Sequence, residues 1–290
     1  MPAALASRSI VQPRSSVLIL AIGFLSMAIP TILSLASEAW TKDQGVHGPI
    51  VLATGLWLIW RRWGDILAHA TPGSPTFAFA GLLGALLLYA LSRAFDFLSV
   101  ETFALILAAL AIAYSFVGLH VLQSLWFPIL YLLFLVPMPG WFVDQITAPL
   151  KEFVSYSAET LLASAGYAIV RQGVVLYVDQ YQLLVKDACA GLNSLFSLTA
   201  ISLFYIYLRH NASWQYALFL VLWIIPIAIF ANLVRVIVLV LITHYFGEAA
   251  AQGFLHNSAG MLMFVIALLG IFGLDSLFGL VRGVARRARS

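Results

Sequence analysis

A run of 33 almost entirely apolar residues, WQYALFLVLWIIPIAIFANLVRVIVLVLITHYF at 214–246, sets the class of this protein. At 1.5 Å per residue, a helix of this length would extend about 50 Å, whereas the hydrocarbon core of a bilayer is about 30 Å thick. The run is therefore predicted to cross a membrane and to be kinked, re-entrant or broken. We expect the interruption around Asn232–Arg235, with a kink at Pro226.

The composition of the whole chain also indicates a membrane protein. Of its 290 residues, 62% are hydrophobic and 9% are charged, whereas charged residues make up about 25% of a typical soluble domain. The predicted fold is an all-α polytopic membrane protein with about eight transmembrane helices and an outer-face amphipathic and hairpin segment. The predicted helices cover residues 16–36, 49–60, 76–91, 98–117, 121–136, 192–208, 214–246 and 256–277.

The chain is predicted to form a single integral membrane domain over residues 1–290. Helices one to five lie within 15–137, and an outer interfacial segment covers 138–188. Helices six to eight, which carry the candidate site, lie within 189–277. A basic cytoplasmic tail covers 278–290.

The basic residues predict the orientation, because cytoplasmic loops of membrane proteins are enriched in Lys and Arg. With the N-terminus inside and eight alternating spans, the predicted cytoplasmic set is Arg8, Arg14, Arg61, Arg62, Arg209, Arg282, Arg286, Arg287 and Arg289. The smaller predicted outer set is Lys42, Arg93, Lys151, Arg171 and Lys186. Both termini are therefore predicted to be cytoplasmic, with the outer segment on the opposite face.

The outer segment follows Pro137-Met138-Pro139-Gly140, a strong helix terminator. Residues 141–170 are predicted to form one or two amphipathic helices at the membrane interface. The sequence VVLYVDQYQLLV at 174–185 partly alternates and is rich in Val and Tyr. It predicts a small β-hairpin or extended pair.

The only cysteine lies directly after this hairpin, in Asp187-Ala188-Cys189-Ala190-Gly191-Leu192-Asn193-Ser194. A single cysteine excludes an intramolecular disulfide and a multi-cysteine metal site. Because Cys189 opens a predicted helix, the N–H groups and positive dipole end there favour the reactive thiolate. The alternative is a small buried hydrophobic side chain.

Arg235 lies inside the long apolar run, where a guanidinium costs about 2.5–3.5 kcal/mol on insertion scales. Such residues usually face a polar cavity, and Asn232, about one turn earlier on the same face, indicates a polar lining. The alternative is an arginine whose head group reaches the outer lipid headgroups.

Three histidines are candidates for the outer face. His256 is predicted to open the last helix, where Gly260, one turn later, permits close helix approach. The alternative is an ordinary histidine at an interfacial helix start. His47 and His244 are competitors, and His244 could replace His256 on geometric grounds.

A Cys, a His and an Arg on one face suit acyl transfer. The thiolate attacks a carbonyl, the His protonates the leaving amine and later deprotonates the incoming nucleophile, and the Arg donates hydrogen bonds to the oxyanion. One Cys and scattered His residues lack the ligand spacing of a zinc site. No cofactor or metal is therefore expected, and no nucleic-acid partner, because the basic residues are not clustered into a binding face.

This ordered set of motifs resembles the exosortase/archaeosortase family over residues 15–280. The motifs are Asp187-Ala-Cys189-Ala-Gly191 opening a span, Asn232-Leu-Val-Arg235 late in the next, His256-Asn-Ser-Ala-Gly260 opening the last, and His47-Gly-Pro49 before helix two. The resemblance implies a membrane cysteine protease or transpeptidase of PEP-CTERM-type protein sorting. It implies Cys189 as nucleophile, Arg235 as oxyanion stabiliser and His256 as acid/base, with Asn232, Gly191, Asn193, Gly260 and His47 in support.

The resemblance also implies the partners and the location. The substrates would be exported proteins with a C-terminal Pro-Glu-Pro-type motif, a transmembrane helix and a basic tail. The enzyme would lie in the bacterial cytoplasmic (inner) membrane, with its active site on the periplasmic face and the lipid bilayer around it.

Two other functions remain open. A non-enzymatic permease or polysaccharide-export component would use Arg235 to bind an anionic solute, and would tolerate Cys189→Ala. A structural assembly factor would tolerate single substitutions of Cys189, Arg235 and His256 alike.

Overall fold

The computed structural model describes residues 14–41, 45, 47–184, 190–209, 214–257, 265–266, 268–270 and 272–278. Spatial contacts between residues divide the chain into two units. The first unit comprises 1–38 and 57–129, and the second comprises 39–56 and 130–290.

The described chain is mainly helical, with one small sheet. The helices are α1 (Arg14–Ser34), α2 (Gly48–Arg61), α3 (Trp63–His69), α4 (Pro75–Ala94), α5 (Leu98–Ser124), α6 (Trp126–Leu132), α7 (Gly140–Ser164), α8 (Ala190–Arg209) and α9 (Trp214–Asn257). A π-helical turn, Leu35–Ala39, extends α1, and a 3-10 turn, Leu133–Leu135, extends α6.

Long apolar helices confirm a membrane protein. Four in the described chain are long and apolar enough to cross a bilayer: Val17–Ala39, Pro75–Ala94, Leu98–Ser124 and Val221–Gly253. A fifth candidate is the pair Trp126–Leu135 and Gly140–Ser164, which is bent by 96° at the predicted Pro137–Gly140 terminator. The count of eight spans stays a prediction.

The predicted fifth helix, 121–136, is wrong as a single helix. Its residues fall into the end of α5, the short α6 and the 3-10 turn. Pro128 lies in the first turn of α6 and has no N–H to donate to the carbonyl of Ser124, four residues earlier. That carbonyl instead accepts a hydrogen bond from Arg62 Nη1 at 2.8 Å. The proline therefore ends one helix, and an arginine satisfies the group it leaves.

A second break lies where the fourth predicted helix was expected to end. Gly118 has φ 77° and ψ 177°, a conformation that side-chain-bearing residues almost never adopt. The backbone N–H of Thr71 donates to the Val117 carbonyl at 3.2 Å. A Cβ on Gly118 would lie 2.0 Å from the Thr71 carbonyl oxygen. Glycine is thus required by both the backbone conformation and the close approach of the preceding loop.

The first unit also contains a buried carboxylate that two side chains of the same unit bind. Glu101 on α5 is 3% exposed. Its Oε1 accepts hydrogen bonds from Thr31 Oγ1 at 2.6 Å and Arg93 Nη1 at 2.7 Å. Tyr89 OH lies 3.1 Å from the same threonine hydroxyl and donates to the Met27 carbonyl. The network links α1, α4 and α5.

The second unit contains an antiparallel sheet of three strands in the order β1 (Ile169–Gln172), β2 (Val175–Val178) and β3 (Tyr181–Leu184). The hairpin predicted at 174–185 is confirmed as β2 and β3. The first strand was missed, because 169–170 had been assigned to the amphipathic helix. That helix ends earlier, at Ser164, and Gly166 follows at φ 93°.

The structure of the long helix α9 shows that two predictions are wrong, one about where the apolar run is interrupted and one about His256. Its backbone is helical through Asn232 and Arg235, so the interruption expected there is wrong. The break lies at Gly247, with φ 83° and ψ 174°. Polar side chains leave the backbone hydrogen bonds of a helix intact, whereas glycine permits a conformation that ends them. The helix resumes through Asn257, so His256 lies in its last turn and does not open a new helix.

Candidate functional site

Arg235 lies on a continuous buried face of α9. The face follows the spacing of three and four residues that places side chains on one side of a helix. Its members, each at most 5% exposed, are Ala228, Ala231, Asn232, Arg235, Val236, Leu239, Val240 and Thr243. Arg235 is therefore inside the protein.

The polar members of this face are Asn232, Arg235 and Thr243. Asn232 and Thr243 are fully buried, and the Thr243 hydroxyl donates to the Leu239 carbonyl at 2.9 Å. Because Asn232 and Arg235 are one turn apart, their side chains lie next to each other on the helix surface. Asn232 and Arg235 thus share one buried stretch of α9, and the polar lining of a cavity there stays a prediction.

The sheet packs against the same stretch of α9. The buried side chains of the sheet, Ile169, Leu176, Val178 and Leu183, form one apolar core with α7 and α9. The α9 members of that core are Val236, Leu239, Val240 and Ala251; the α7 members are Val154, Ala158 and Leu162. This packing places the sheet over the turns of α9 that begin at Arg235.

The last strand leads towards Cys189. Strand β3 ends at Leu184, and Cys189 lies five residues later, outside the described residues. Five residues span at most about 17 Å. The core that buries Leu183 therefore limits how far Cys189 can lie from the end of the strand.

The remaining predicted residues of the cysteine motif lie at the start of α8. Gly191 and Asn193 are in its first turn, where the structure describes the backbone only. A helix does begin directly after Cys189, at Ala190, as the sequence predicts.

His256 and Gly260 lie beyond the Gly247 break. His256 belongs to the helical segment that ends at Asn257, and its side chain is outside the described part of the chain. Gly260 also lies outside the described residues. The structure thus places Arg235 and Asn232 on the helix that packs against the sheet, and the placement of His256 relative to them stays a prediction.

His244 contacts an aspartate in the turn between β2 and β3. Its Nδ1 lies 2.6 Å from Asp179 Oδ2, an ion pair when the imidazole is protonated. Nine residues separate it from Arg235, which places it about 180° round the helix and about 13.5 Å along it. His244 therefore lies on the opposite side of α9 from Arg235.

The group around His244 was not identified from the sequence. Asp179 is in the two-residue β2–β3 turn at φ 53°, a left-handed conformation that aspartate tolerates. The ring of Tyr167 contacts the His244 ring edge to face at 5.3 Å, and its hydroxyl lies 2.9 Å from that of Tyr245. An aspartate in a predicted hairpin turn was the only signal, and its partner is 65 residues away.

His47 is buried in the second unit, at the turn that precedes α2. It is 7% exposed, and its Nε2 donates to the Phe134 carbonyl at 3.1 Å. Burial lowers the pKa of His47 below its usual value, and the hydrogen bond to Phe134 opposes this effect in part. The contact fixes the loop before α2 to the 3-10 turn that precedes the Pro137–Gly140 terminator.

Among the residues that the structure describes, no group of three or more His, Cys, Asp or Glu side chains is arranged to hold a metal ion. The chemistry available on α9 is hydrogen-bond donation and positive charge from a buried guanidinium beside a carboxamide. Such a pair can stabilise a negatively charged oxygen in a site from which water is excluded.

The comparison with protein families bears on the whole of this region. A family model described as transmembrane exosortase, Exosortase_EpsH, matches residues 39–273. The match includes α9, the sheet and the cysteine motif. No curated protein and no solved structure matches the chain. Because the matched range covers most of the sequence, this chain belongs to the transmembrane exosortase family.

Proposed function

We propose that this protein is a membrane cysteine protease or transpeptidase that cleaves C-terminal sorting signals of exported proteins. The substrates carry a Pro-Glu-Pro-type motif, a transmembrane helix and a basic tail. The enzyme acts in the bacterial inner membrane, with both termini in the cytoplasm and the reaction at the periplasmic interface. Membership of the exosortase family supports this class of activity.

One observation carries the proposal. Arg235 is 5% exposed on α9 and precedes Val236, which packs against the sheet, and the last strand of that sheet ends five residues before Cys189. The apolar core that contains Val236 therefore holds the strand that precedes the only cysteine. A buried guanidinium near a thiolate has the charge needed to stabilise the oxyanion that thiolate attack creates.

The proposed reaction has two steps. The Cys189 thiolate adds to the scissile carbonyl carbon, and Arg235 hydrogen-bonds the oxyanion. The C–N bond then breaks, and His256 gives a proton to the amine of the departing signal helix. In the second step, water or an acceptor amine loses its proton to His256 and adds to the thioester. Breaking the C–S bond restores the thiolate.

The test is processing of a co-expressed protein that carries a Pro-Glu-Pro-type C-terminal signal, followed by its change in mass. Wild type, Cys189→Ala and Cys189→Ser are compared at equal protein levels. Shortening of the substrate by wild type alone supports Cys189 as nucleophile. Equal processing by Cys189→Ala removes the proposed mechanism and favours a non-enzymatic role.

A further inference from the structure

The two edges of the sheet differ, and the difference marks a binding surface. In a three-stranded sheet, β1 and β3 are both edge strands, with one side of each available to another chain. Proteins often protect such edges with charged side chains or with covering elements. The edge of β1 is protected in this way.

The covering group on β1 is Glu159 of α7. Its Oε1 accepts the backbone N–H of Arg171 at 3.1 Å, and its Oε2 accepts Arg171 Nε at 3.2 Å. Arg171 Nη1 also donates to the Gly173 carbonyl at 2.9 Å. A strand could not pair with β1 here without displacing a carboxylate from a backbone N–H.

No strand or backbone hydrogen bond covers the outer edge of β3 within the described chain. The strand carries Tyr181, the exposed Gln182 and the buried Leu183, and none of these is charged. An uncharged edge of this kind accepts an additional strand through its backbone groups.

Strand β3 is held firmly at both its turn and its buried face. Leu183 and its cross-strand partner Leu176 lie in the α7–α9 core. At the turn, Asp179 binds His244 at 2.6 Å, which ties the hairpin to α9. A preformed strand loses little conformational freedom when a ligand strand pairs with it.

The two ends of β3 adjoin, along the chain or in space, segments that carry residues of the proposed site. Near its first residue, the Tyr181 hydroxyl lies 3.5 Å from the position of a Cβ on Gly247, the break before the segment that carries His256. At its other end, β3 leads to Cys189 within five residues. The five residues of chain after β3 keep the thiol within about 17 Å of the end of a peptide paired with this strand.

We propose that the outer edge of β3 binds an extended segment of the substrate polypeptide by β-strand addition and so presents the scissile bond to Cys189. The segment is the stretch of substrate next to its transmembrane helix. The backbone of β3 supplies most of the binding, so the side chains of the substrate are read only at alternate positions. This inference rests on the proposed protease or transpeptidase function.

Two glutamines provide a matched pair for cross-linking. Gln172 on β1 and Gln182 on β3 are both exposed, and the strand register places both on the same face of the sheet. Because Cys189 is the only native cysteine, a Cys189→Ala background has no competing thiol. Gln182→Cys and Gln172→Cys in that background each introduce one thiol on an edge strand.

The experiment uses a substrate that wild type has already been shown to process. Single cysteines are placed through its motif segment, and disulfide formation is measured in membranes under mild oxidation. Facing residues of paired strands have Cβ atoms about 4.5–5.5 Å apart, within disulfide reach. We expect Gln182→Cys to cross-link at least about 10-fold more than Gln172→Cys at one or two substrate positions.

Equal cross-linking of the two variants, or none with either, overturns β-strand addition while the proposed function stands. Cross-linking of Gln182→Cys to a second copy of this chain overturns the proposed occupant. If wild type processes no substrate, the proposed function fails first, and the two failures are thereby distinguished.

A second experiment changes the substrate and uses the wild-type enzyme. Single backbone amides of the substrate segment are replaced by esters, which removes one N–H donor at a time. A paired strand directs alternate N–H groups at its partner. Processing should therefore fall by about 2- to 10-fold at alternate positions only. A uniform response along the segment contradicts pairing with β3.

Discussion

Glu101 and Arg235 are both buried charged groups on long apolar helices, but their surroundings differ. Glu101, in the first unit, is 3% exposed and accepts hydrogen bonds from Thr31 and from Arg93, whose side chain is 45% exposed. Arg235, in the second unit, is 5% exposed, and the polar residues that share its helix face are neutral. The buried acid of the first unit is bound by a threonine and an arginine from two other helices, whereas the buried cation of the second unit lies beside a carboxamide on its own helix.

The same contrast holds for the two glycine breaks. Gly118 and Gly247 have nearly the same dihedral angles. A Cβ on Gly118 would meet a backbone oxygen at 2.0 Å, whereas the nearest contact of one on Gly247, among the residues that the structure describes, is the Tyr181 hydroxyl at 3.5 Å. The irregular residues of the first unit are fixed by their neighbours, so we assign them to stability. In the second unit, Arg235 is buried beside Asn232, and we assign Arg235 to the proposed reaction.

The largest expected effect is on Arg235. Arg235→Gln keeps a hydrogen-bonding side chain but removes the charge and the guanidinium geometry. Loss of one oxyanion donor typically costs about 10²–10³ in rate. We expect a loss of that size in the rate of substrate processing, measured by mass spectrometry at matched protein levels. Arg235→Lys restores the charge but not the planar donor pair, so most of the loss should remain.

Glu101→Gln is the matched control for Arg235→Gln, since each exchanges a buried charge for an amide. Processing by folded Glu101→Gln should equal that of wild type. If Arg235→Gln processes substrate within about 3-fold of wild type, which is less than 1 kcal/mol of transition-state stabilisation, the functional assignment of Arg235 is wrong.

The next largest effect is expected for Gly118→Ala. The conformation of Gly118 costs other residues about 1–3 kcal/mol, and the Thr71 carbonyl must also move. The midpoint of unfolding in detergent should therefore fall further for Gly118→Ala than for Gly247→Ala, which carries the backbone cost without the clash. Equal destabilisation of the two variants would show that the clash with the Thr71 carbonyl adds nothing to the cost of the backbone conformation.

Glu101→Gln should lower the free energy of unfolding by about 1–3 kcal/mol, because hydrogen bonds to charged groups are worth about 1.5–3 kcal/mol and the exposed Arg93 is partly screened by solvent. The measurement is SDS-driven unfolding in mixed micelles. The loss should be smaller when Arg93 is already replaced by alanine. Additive losses in the double variant would show that the two side chains do not support each other.

Much of this arrangement could be predicted from local sequence signals. The apolar runs predicted membrane-spanning helices, and the Val- and Tyr-rich stretch before Cys189 predicted the hairpin that became β2 and β3. The shared stretch of α9 was predicted from the spacing of Asn232 and Arg235, because that spacing puts both side chains on one helix face.

The features that the sequence analysis did not predict have physical causes that local sequence patterns do not show. Gly247 ends a helix through its φ of 83°, directly after the apolar run 214–246, but the sequence does not show that a helix resumes beyond this residue. Pro128 was overlooked because the residues around it continue the apolar run, and only the structure shows Arg62 binding the carbonyl that it leaves. The contact of Asp179 with His244 joins residues 65 positions apart, a distance beyond any local pattern.

The smallest expected effect concerns His47, which is buried and neutral in the second unit. Its pKa is lowered by burial, so at pH values between its folded pKa and the unfolded value of about 6.5, the unfolded chain binds a proton that the folded chain does not. Stability from this group is complete above about pH 6.5 and is lost as the pH falls towards the folded pKa. The midpoint of thermal unfolding in detergent should therefore fall between pH 7.5 and 5 by more in wild type than in His47→Gln, which has no titrating ring. An equal fall in the two proteins would mean that other groups control the acid sensitivity, and that the hydrogen bond from His47 to Phe134 tolerates protonation.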